Sequence, residues 1–288
     1  VGLQFNGDIE LKNIYVEDYK KDTLINIAEL NTSILSFRNL YQGKLVFGDI
    51  DIMDLVFNIK TYEGTKDTNL DVFVAKLEGD NPTKGDGSFL LSSSDVSIYD
   101  GKFTMSNENL ETVELFNFSD LNINATNFLI YGSDVSMRVN TLNFVDSRGL
   151  KMKNLMADFS YTLTDMTFAN LQLQTPSSVL KGDLQFSYNR EDLQFFTDKV
   201  VVKAHFKDSN VQLDELNVFY NEFGVKQSAR FSVELSGTLN DLKTKNLRLT
   251  SSRNTKVYGD IHFKNLFKSL LIYANISQKY YNNRLNKN

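Results

Sequence analysis

Apolar and polar side chains alternate along most of this chain, for example in residues 45–52, 121–125 and 231–235. A repeat of two residues places successive side chains on opposite faces of an extended strand. The pattern restarts many times, from the first residues to about Ile261. It therefore predicts an all-β protein that functions through its sheet surface, as a face, a groove or an edge.

The composition favours a folded β-protein. The 288 residues are 41% hydrophobic and include 22 Phe and 13 Tyr, but only 15 Gly and 2 Pro. A chain of this length can bury a core in one large unit or two smaller ones, and aromatic side chains favour pleated surfaces.

Charge and cysteine content exclude several classes of function. The formal net charge is −5, and acidic and basic residues are interspersed, which argues against a nucleic-acid partner. The chain has no cysteine, which excludes disulfides, thiolate metal sites and Cys nucleophiles. It has no run of about 18 apolar residues that would span a membrane as a helix. It begins within a strand pattern and without Met, so we interpret it as a fragment or a processed form.

The separators between alternating stretches are mainly Asn, Asp, Ser and Gly. Residues 99–101, 131–134 and 147–149 suit tight hairpin turns, so we predict a mostly antiparallel meander. The predicted strands are 3–6, 8–18, 22–35, 44–61, 88–99, 101–106, 112–119, 120–131, 134–145, 149–163, 166–174, 179–189, 198–207, 209–220, 226–238, 240–250 and 255–263.

Two segments interrupt this repetitive β segment, which we predict over 1–263. Residues 36–42 are compatible with one helical turn that ends at Gly43. Residues 68–77 have apolar side chains at helical spacing and precede a loop over 78–88, which predicts a short amphipathic helix that closes one end of the sheet. The apolar positions of that helix are Leu70, Phe73, Val74 and Leu77.

The tail over 264–288 loses the alternation. It carries Lys279, Arg284 and Lys287, and no acidic residue follows Asp260. This composition predicts either a basic amphipathic helix at a membrane surface or a frayed end.

A short motif, apolar-x-Asp/Asn-apolar-x-apolar, recurs in the strands. At the Asp or Asn the apolar phase shifts by one residue, as a bulge or a tight turn between strand halves would produce. Repetition of this kind predicts one structural unit copied along an axis. The copies begin at Leu11, Ile52, Phe118, Met152, Leu163, Leu213 and Thr244.

The polar residues form no catalytic or metal-binding pattern. His205 and His262 are the only histidines, and each lies in an alternating strand without a second ligand at metal spacing. Pairs of acids such as Asp49 and Asp51 follow from polar alternation alone. Residues 80–87 resemble a calcium or phosphate loop only in composition. We therefore predict a protein that is not an enzyme and has no cofactor or metal.

The apolar face is the remaining candidate site, because few helices are predicted to cover it. We predict an elongated, curved, repeated sheet that bends into a trough with an apolar interior for lipid chains, which the family resemblance described below implies to be a taco-like groove. Burial is worth about 0.8 kcal/mol per methylene, or on the order of 12 kcal/mol for a 16-carbon chain. About 17 strands at ~4.8 Å give a groove of roughly 80 Å. The candidate groove residues are Ile50, Ile52, Leu121, Ile123, Phe231, Val233 and Leu235.

Residues 7–18, 21–25, 30–34, 48–52 and 66–71 resemble the N-terminal half of the TamB family in its Bacteroidota form. TamB proteins are translocation and assembly module subunits that belong with the AsmA-like, bridge-like lipid-transfer proteins. The resemblance covers about the first 80 residues, and the later strands share only the style of repeat. The chain departs from the family in its shorter length and in lacking an N-terminal membrane helix and the C-terminal domain.

The resemblance implies a periplasmic protein of the bacterial cell envelope that is anchored in the inner membrane. Its groove would carry phospholipid acyl chains towards the outer membrane, with a TamA-like barrel of the Omp85 type as partner and with membranes at the ends of the full-length protein. The family offers no catalytic residues. One alternative is a scaffold or chaperone for outer-membrane β-barrel proteins, which would act through exposed strand edges. Another is a surface β-solenoid or adhesin with a closed, dry apolar face.

Overall fold

The computed structural model describes residues 2–3, 8–34, 44–78, 90–218, 225–265 and 271–276. The chain is mostly β, as predicted. The helical turn predicted at 36–42 lies outside the described residues, as does the predicted loop after its first residue, Glu78. Helix α1 spans Asn69–Glu78, close to the helix predicted over 68–77.

The described strands follow one another with short connections. Between β12 and β13 lie a 3-10 helix, Arg190–Phe195, and helix α2, Phe196–Lys199, and a second 3-10 helix, Leu213–Val218, follows β13. The strands are β1 Gly2–Leu3, β2 Asp8–Glu17, β3 Thr23–Ile34, β4 Lys44–Met53, β5 Val56–Thr61, β6 Leu90–Asn107, β7 Glu114–Tyr131, β8 Asp134–Asp146, β9 Lys151–Met152, β10 Asn154–Tyr161, β11 Asp165–Gln174, β12 Val179–Ser187, β13 Val201–Gln212, β14 Ser228–Thr238, β15 Asp241–Ser251, β16 Lys256–Lys264 and β17 Leu271–Ile276.

The chain forms two compact units. Unit 1 comprises Val1–Leu163 and Leu173–Pro176, and unit 2 comprises Thr164–Gln172 and Ser177–Asn288. Both units are built from antiparallel neighbours, which require only short turns between consecutive strands.

Unit 1 contains one departure from the antiparallel meander. Strand β3 pairs with both β4 and β5, and these two strands pair in parallel with successive parts of β6. Two parallel strands begin at the same edge of the sheet, so the chain must cross back to that edge between them. The connection that contains α1 provides this crossover. The remaining described pairs of the unit are antiparallel, from β1 with β2 to β8 with β9 and β10.

Strands β6 and β7 are longer than the sequence predicts. The turn predicted at 99–101 is wrong, because β6 continues through it, with Lys102 paired to Val56 and Phe103 paired to Phe118. The break predicted between 119 and 120 is wrong for the same reason, since β7 is continuous from Glu114 to Tyr131. The predicted turns at 131–134 and 147–149 are confirmed as the connections that follow β7 and β8.

Unit 2 is an antiparallel meander in which each strand from β12 to β17 pairs with the next. Strand β17 shows that the prediction for the tail over 264–288 is wrong for residues 271–276. This segment is neither an amphipathic helix nor a frayed end, because it pairs with β16 from Gly259↔Ile276 to Lys264↔Leu271. Backbone groups of an extended segment are satisfied by such pairing.

The recurrent motif marks left-handed backbone positions inside the sheet. Asn13, Asp54, Asp120 and Asn246 have φ values of 55°, 53°, 51° and 54°, which confirms a local change of phase in four copies of the motif. Asn and Asp tolerate this conformation better than other residues with a side chain. At Asn154 and Asp165 the shift marks the start of a new strand after a short connection, and the prediction is wrong only for Asp214, which lies in a 3-10 helix.

Three left-handed residues inside the strands of unit 2 form a regular series. Asn170, Asp208 and Asn246 are equally spaced in the sequence and lie in β11, β13 and β15. The N–H of each donates to a side-chain oxygen on the following strand, at 2.9, 3.0 and 3.0 Å. The three acceptors are, in the same order, Asp183 Oδ1, Ser232 Oγ and Asp260 Oδ1. One hairpin with one capped bulge is therefore the repeating element.

A buried hydrogen-bond cluster closes one end of unit 1. The Asp18 carboxylate accepts hydrogen bonds from the N–H groups of Lys20 and Asp22, at 2.7 and 3.1 Å, and from Asn69 Nδ2 at 3.0 Å. The Tyr62 hydroxyl lies 2.6 Å from Asp18 Oδ2 and 2.8 Å from Asp22 Oδ2, so it can donate its one proton to either carboxylate. Burial raises the pKa of Asp18, but these hydrogen bonds outweigh burial and hold the pKa below its ordinary value.

Candidate apolar binding faces

One face of the unit 1 sheet carries a row of aliphatic side chains, one from each of β2, β3, β4, β6, β7 and β8. Each member is paired with the next, and paired side chains lie on the same face of a sheet. All six are half-buried, so the row is partly accessible. This aliphatic row consists of Leu11, Leu30, Ile52, Ile98, Ile123 and Leu142.

A second row lies beside the aliphatic row, two residues earlier in β4 and β6 and two residues later in the antiparallel strand β7. Residues two apart in a strand share a face, so both rows belong to the same surface. The second row is more deeply buried: Ile50 is 8% exposed, Ala125 1% and Ala157 0%. Its members, in order of pairing, are Ile50, Val96, Ala125, Val139 and Ala157.

Aromatic side chains continue this surface on the other side of the left-handed residues. The rings of Phe57 and Phe103 are 5.8 Å apart, as are those of Phe103 and Phe118, and Phe144 stacks on Phe118 at 4.1 Å. We call these four side chains the aromatic row. Their contacts place the four rings on one face of the sheet.

The left-handed residues join the aliphatic and aromatic rows into one face. Ile98 and Phe103 are an odd number of residues apart, which would place them on opposite faces of a regular strand. Asp100, with φ of 53°, lies between them and changes the phase. A Cβ atom at Gly101 would lie 3.2 Å from Ile98 Cγ2, so residue 101 shares the face of Ile98, and Phe103 follows by alternation. The same spacing occurs from Ile52 to Phe57 around Asp54.

The opposite face of unit 1 is polar. Asn31, Asp51, Ser97 and Asn124 form a paired row there, and Asn124 Nδ2 donates to Asp95 Oδ1 at 2.9 Å. Burial, together with the neighbouring carboxylates of Asp49 and Asp95, raises the pKa of Asp51. The unit 1 sheet is therefore amphipathic.

Unit 2 has its own apolar face, in which two paired rows run across β12 to β16. Several members are almost fully buried, with Val202 5% exposed and Phe206, which follows on the same face of β13, 7% exposed. We call the first row the end row, because it lies where these strands meet the turns. The end row is Phe186, Val202, Gly237, Leu242 and Phe263, and the second is Leu184, Ala204, Leu235, Thr244 and Ile261.

The predicted groove residues all lie on these apolar faces, in separate units. In unit 1, Ile52 and Ile123 belong to the aliphatic row, Ile50 belongs to the row beside it, and Leu121 is buried opposite Gly101. The unit 2 candidates Phe231, Val233 and Leu235 follow one another on one face of β14. The Phe231 ring contacts Phe206 at 6.4 Å between centroids, which fixes that face.

Sequence reasoning missed Ile98 and the aromatic row. Ile98 connects Ile52 to Ile123, and Phe103 occupies the same central position among the aromatic side chains. The signal was present as the motif around Asp100, in which Gly101 replaces the central apolar residue.

The polar face of unit 2 offers no comparable site. His205 is exposed and is paired with Asp183 and Glu234, and the side chain of His262 contacts Asp241 and lowers the pKa of that carboxyl. An open depression of about 720 Å³ on this face is lined by acids and bases together. Across the described ranges, no three His, Cys, Asp or Glu side chains are grouped as a metal site.

The fold and the site define a mostly β protein with an amphipathic sheet surface in each unit. Comparison with family models, with curated proteins and with solved structures finds no match to this chain. In the described part of the chain, no helix is both long enough and apolar enough to cross a membrane.

Proposed function

We propose that this chain is a segment of a bridge-like lipid-transfer protein of the TamB and AsmA-like class. In this proposal the sheet is elongated and curved, and its apolar faces form a taco-like groove for phospholipid acyl chains. The observation that carries the proposal is the unbroken apolar face of unit 1, which combines the aliphatic and aromatic rows.

The dimensions of the aliphatic row suit an acyl chain. Adjacent strands lie ~4.8 Å apart, so a row of six strands spans about 24 Å. The hydrocarbon core of a bilayer is about 30 Å thick and contains two layers of chains, so one acyl chain covers roughly 15 Å. Burial is worth about 0.8 kcal/mol per methylene. Contact with the row therefore offsets much of the free energy that would be needed to expose an acyl chain to water.

The half-burial of the aliphatic row also supports this function. Side chains in a finished protein core are close-packed and almost fully buried. All six members of the row instead retain partial exposure, while their neighbours Ala125 and Ala157 are buried. A surface that binds and releases lipid requires such access.

In this proposal the full-length protein lies in the periplasm of a bacterial cell envelope and is anchored in the inner membrane. It carries phospholipid to the outer membrane, contributes to outer-membrane biogenesis, and works with an Omp85-type barrel. The resemblance of the first 80 residues to TamB proteins supports these assignments. Bridging of the envelope belongs to the full-length protein.

The test is native mass spectrometry with lipid extraction, on protein purified from envelope membranes in mild detergent. We expect several co-purifying phospholipids per chain. A lipid-free protein would overturn the proposal and favour the scaffold or the solenoid alternative.

Two variants, Ile52→Asn and Ile123→Asn, test whether the aliphatic row holds the lipid. We expect each to lose bound phospholipid while it keeps the circular dichroism spectrum of the wild type. The matched control is Thr141→Asn, because Thr141 is exposed beside Leu142 and points to the opposite face. Equal lipid content in all three variants would contradict the assignment of this face.

A further inference from the structure

Unit 2 contains a helical insert between β12 and β13, at residues 188–200. It consists of the 3-10 helix Arg190–Phe195 and helix α2, Phe196–Lys199. By contrast, the β14–β15 hairpin of the same unit turns through only two residues, Leu239 and Asn240. A hairpin needs only a few residues to reverse direction, so the insert has a role beyond connection.

Asn240 binds the insert through two hydrogen bonds. Its N–H donates to Thr197 O at 3.0 Å, and its Nδ2 donates to Asp198 Oδ1 at 2.7 Å. Its carbonyl oxygen accepts from the N–H of Asn265 at 2.8 Å, which links the insert to the end of β16. We call Asn240 the clamp, because it links the insert to the β14–β15 turn and to the end of β16.

One hydrogen-bond acceptor of the clamp residue is unsatisfied among the described residues. Asn240 is 9% exposed, and its Oδ1 is buried without a hydrogen-bond partner among the described residues. A buried acceptor without a partner raises the free energy of the closed arrangement, because water would bind it if the insert moved away. The hydrogen bonds of Asn240 therefore hold the insert, but the unsatisfied Oδ1 lowers the free energy that is needed to release it.

The insert covers the end row of the unit 2 apolar face. The ring of Phe196 lies 5.5 Å from the ring of Phe186, a member of that row. Val200, at the end of the insert, is 0% exposed, and Val202 in the row is 5% exposed. Movement of the insert would thus expose the end of an apolar surface.

The insert also exposes apolar side chains to solvent. Leu193, Phe195 and Phe196 are 37%, 49% and 37% exposed. Lys199 Nζ lies 2.9 Å from Asp192 Oδ1 and 4.8 Å from the centroid of the Phe195 ring. Three exposed apolar side chains on one short segment are costly in water, and contact with hydrocarbon would remove that cost.

We propose that the insert is a flap that controls access of acyl chains to the unit 2 apolar face. Closed, it rests on Phe186 and is held by Asn240. Open, it uncovers the end row, and its own Leu193, Phe195 and Phe196 contact the entering chain. The identity of the occupant rests on the proposed function, whereas the movement of the flap does not.

A disulfide across the clamp tests control of access. The chain has no cysteine, so Asp198→Cys/Asn240→Cys creates a single pair, at two positions whose side chains are in hydrogen-bond contact. The probe is a phospholipid with a photoreactive palmitoyl chain, supplied in phosphatidylethanolamine–phosphatidylglycerol vesicles. We expect the oxidised double variant to be labelled in unit 2 several-fold more slowly than the same protein after reduction. Equal labelling in both states would overturn the flap as a control of access.

A second measurement follows the flap without lipid. The thiol of Val202→Cys should react slowly with a soluble maleimide, and adding Asn240→Ala should speed the reaction several-fold. The control is Ala229→Cys, a buried position in β14 at the other end of the strand, whose rate should not respond to Asn240→Ala. An unchanged rate at position 202 would refute the movement itself. A faster rate at 202 with photolabelling of unit 1 but not of unit 2 would overturn acyl chains as the occupant behind the flap, whereas no photolabelling of either unit would overturn the proposed function.

Discussion

Asp54 and Asp100 lie next to each other in the parallel register that joins β4 and β5 to β6, and both have a φ of 53°. The two strands therefore change phase at the same level. If the phase changed at only one of these two residues, the pair Ile52 and Ile98 or the pair Phe57 and Phe103 would be split between opposite faces of the sheet. Paired left-handed residues thus keep an apolar face continuous across a sheet that departs locally from regular β geometry.

The left-handed conformation at Asp54 can be tested by substitution. We expect Asp54→Val to lower the free energy of unfolding by about 1–2 kcal/mol, because a β-branched residue is strained at positive φ. Asp54→Gly is the matched control, since glycine adopts this conformation without strain, and it should leave stability within about 0.5 kcal/mol of the wild type. Urea unfolding of the three proteins measures the difference. Similar stabilities for the Val and Gly variants would contradict the conformation.

Gly182 allows no side chain. Its φ is +147°, and a Cβ atom there would lie 2.0 Å from the carbonyl oxygen of His205 in the paired strand. We expect Gly182→Ala to destabilise unit 2 by more than about 3 kcal/mol, because strain and backbone overlap add. Gly64→Ala is the control: its φ is +75°, but no atom lies within 4 Å, so a cost of about 1 kcal/mol is expected. Thermal unfolding distinguishes the two, and equal shifts would refute the close approach.

The cluster around Asp18 should depend on one hydroxyl group. Tyr62→Phe removes the only proton shared between Asp18 and Asp22, and we expect a loss of about 1–3 kcal/mol in the free energy of unfolding. Tyr19→Phe is the control, because the Tyr19 ring packs on Tyr62 at 5.5 Å but lies outside the hydrogen-bond cluster. It should change stability by no more than about 0.5 kcal/mol. Chemical denaturation of both variants provides the comparison.

The pH dependence of stability should report the pair of Asp146 and Arg148. Hydrogen bonds from the Arg148 side chain, at 2.8 Å to each carboxylate oxygen, lower the pKa of Asp146 against the opposing effect of burial. A lowered folded-state pKa stabilises the fold above the unfolded-state value of about 3.9, and that contribution is lost as the pH falls through the folded-state pKa.

We therefore expect wild-type stability to fall more steeply below about pH 4 than the stability of Asp146→Asn, which has no carboxylate to protonate. The exposed residue Asp67 provides the control, and Asp67→Asn should retain the wild-type slope. Denaturant titrations at a series of pH values measure both slopes. Parallel curves for wild type and Asp146→Asn would contradict the role of the pair.

Local patterns in the sequence predict much of this fold because strand alternation is itself local. The phase change at Asn13, Asp54, Asp120 and Asn246 is visible as a shift in apolar spacing. Asn154 and Asp165 show the same shift because a new strand begins there, so the spacing alone does not separate a bulge from a strand start.

The remaining features depend on partners distant in the sequence. The dipeptide Asp100-Gly101 has the residues of a hairpin turn, but pairing with both β5 and β7 keeps it inside β6. The parallel pairing of β4 with β6 and the packing of Phe196 on Phe186 likewise follow from tertiary contacts. For the candidate site, alternation identified apolar residues such as Ile52 and Ile123, whereas their common row required the register through Ile98.

The equal spacing of Asn170, Asp208 and Asn246 has a consequence for how such a protein can change its length. Duplication or loss of one whole hairpin does not change which side chains of the other strands lie on the apolar face. A single residue inserted into a strand, in contrast, moves the side chains that follow it to the opposite face. Each hairpin adds two strands, or about 10 Å across the sheet. The width of such a sheet therefore changes only in steps of whole hairpins.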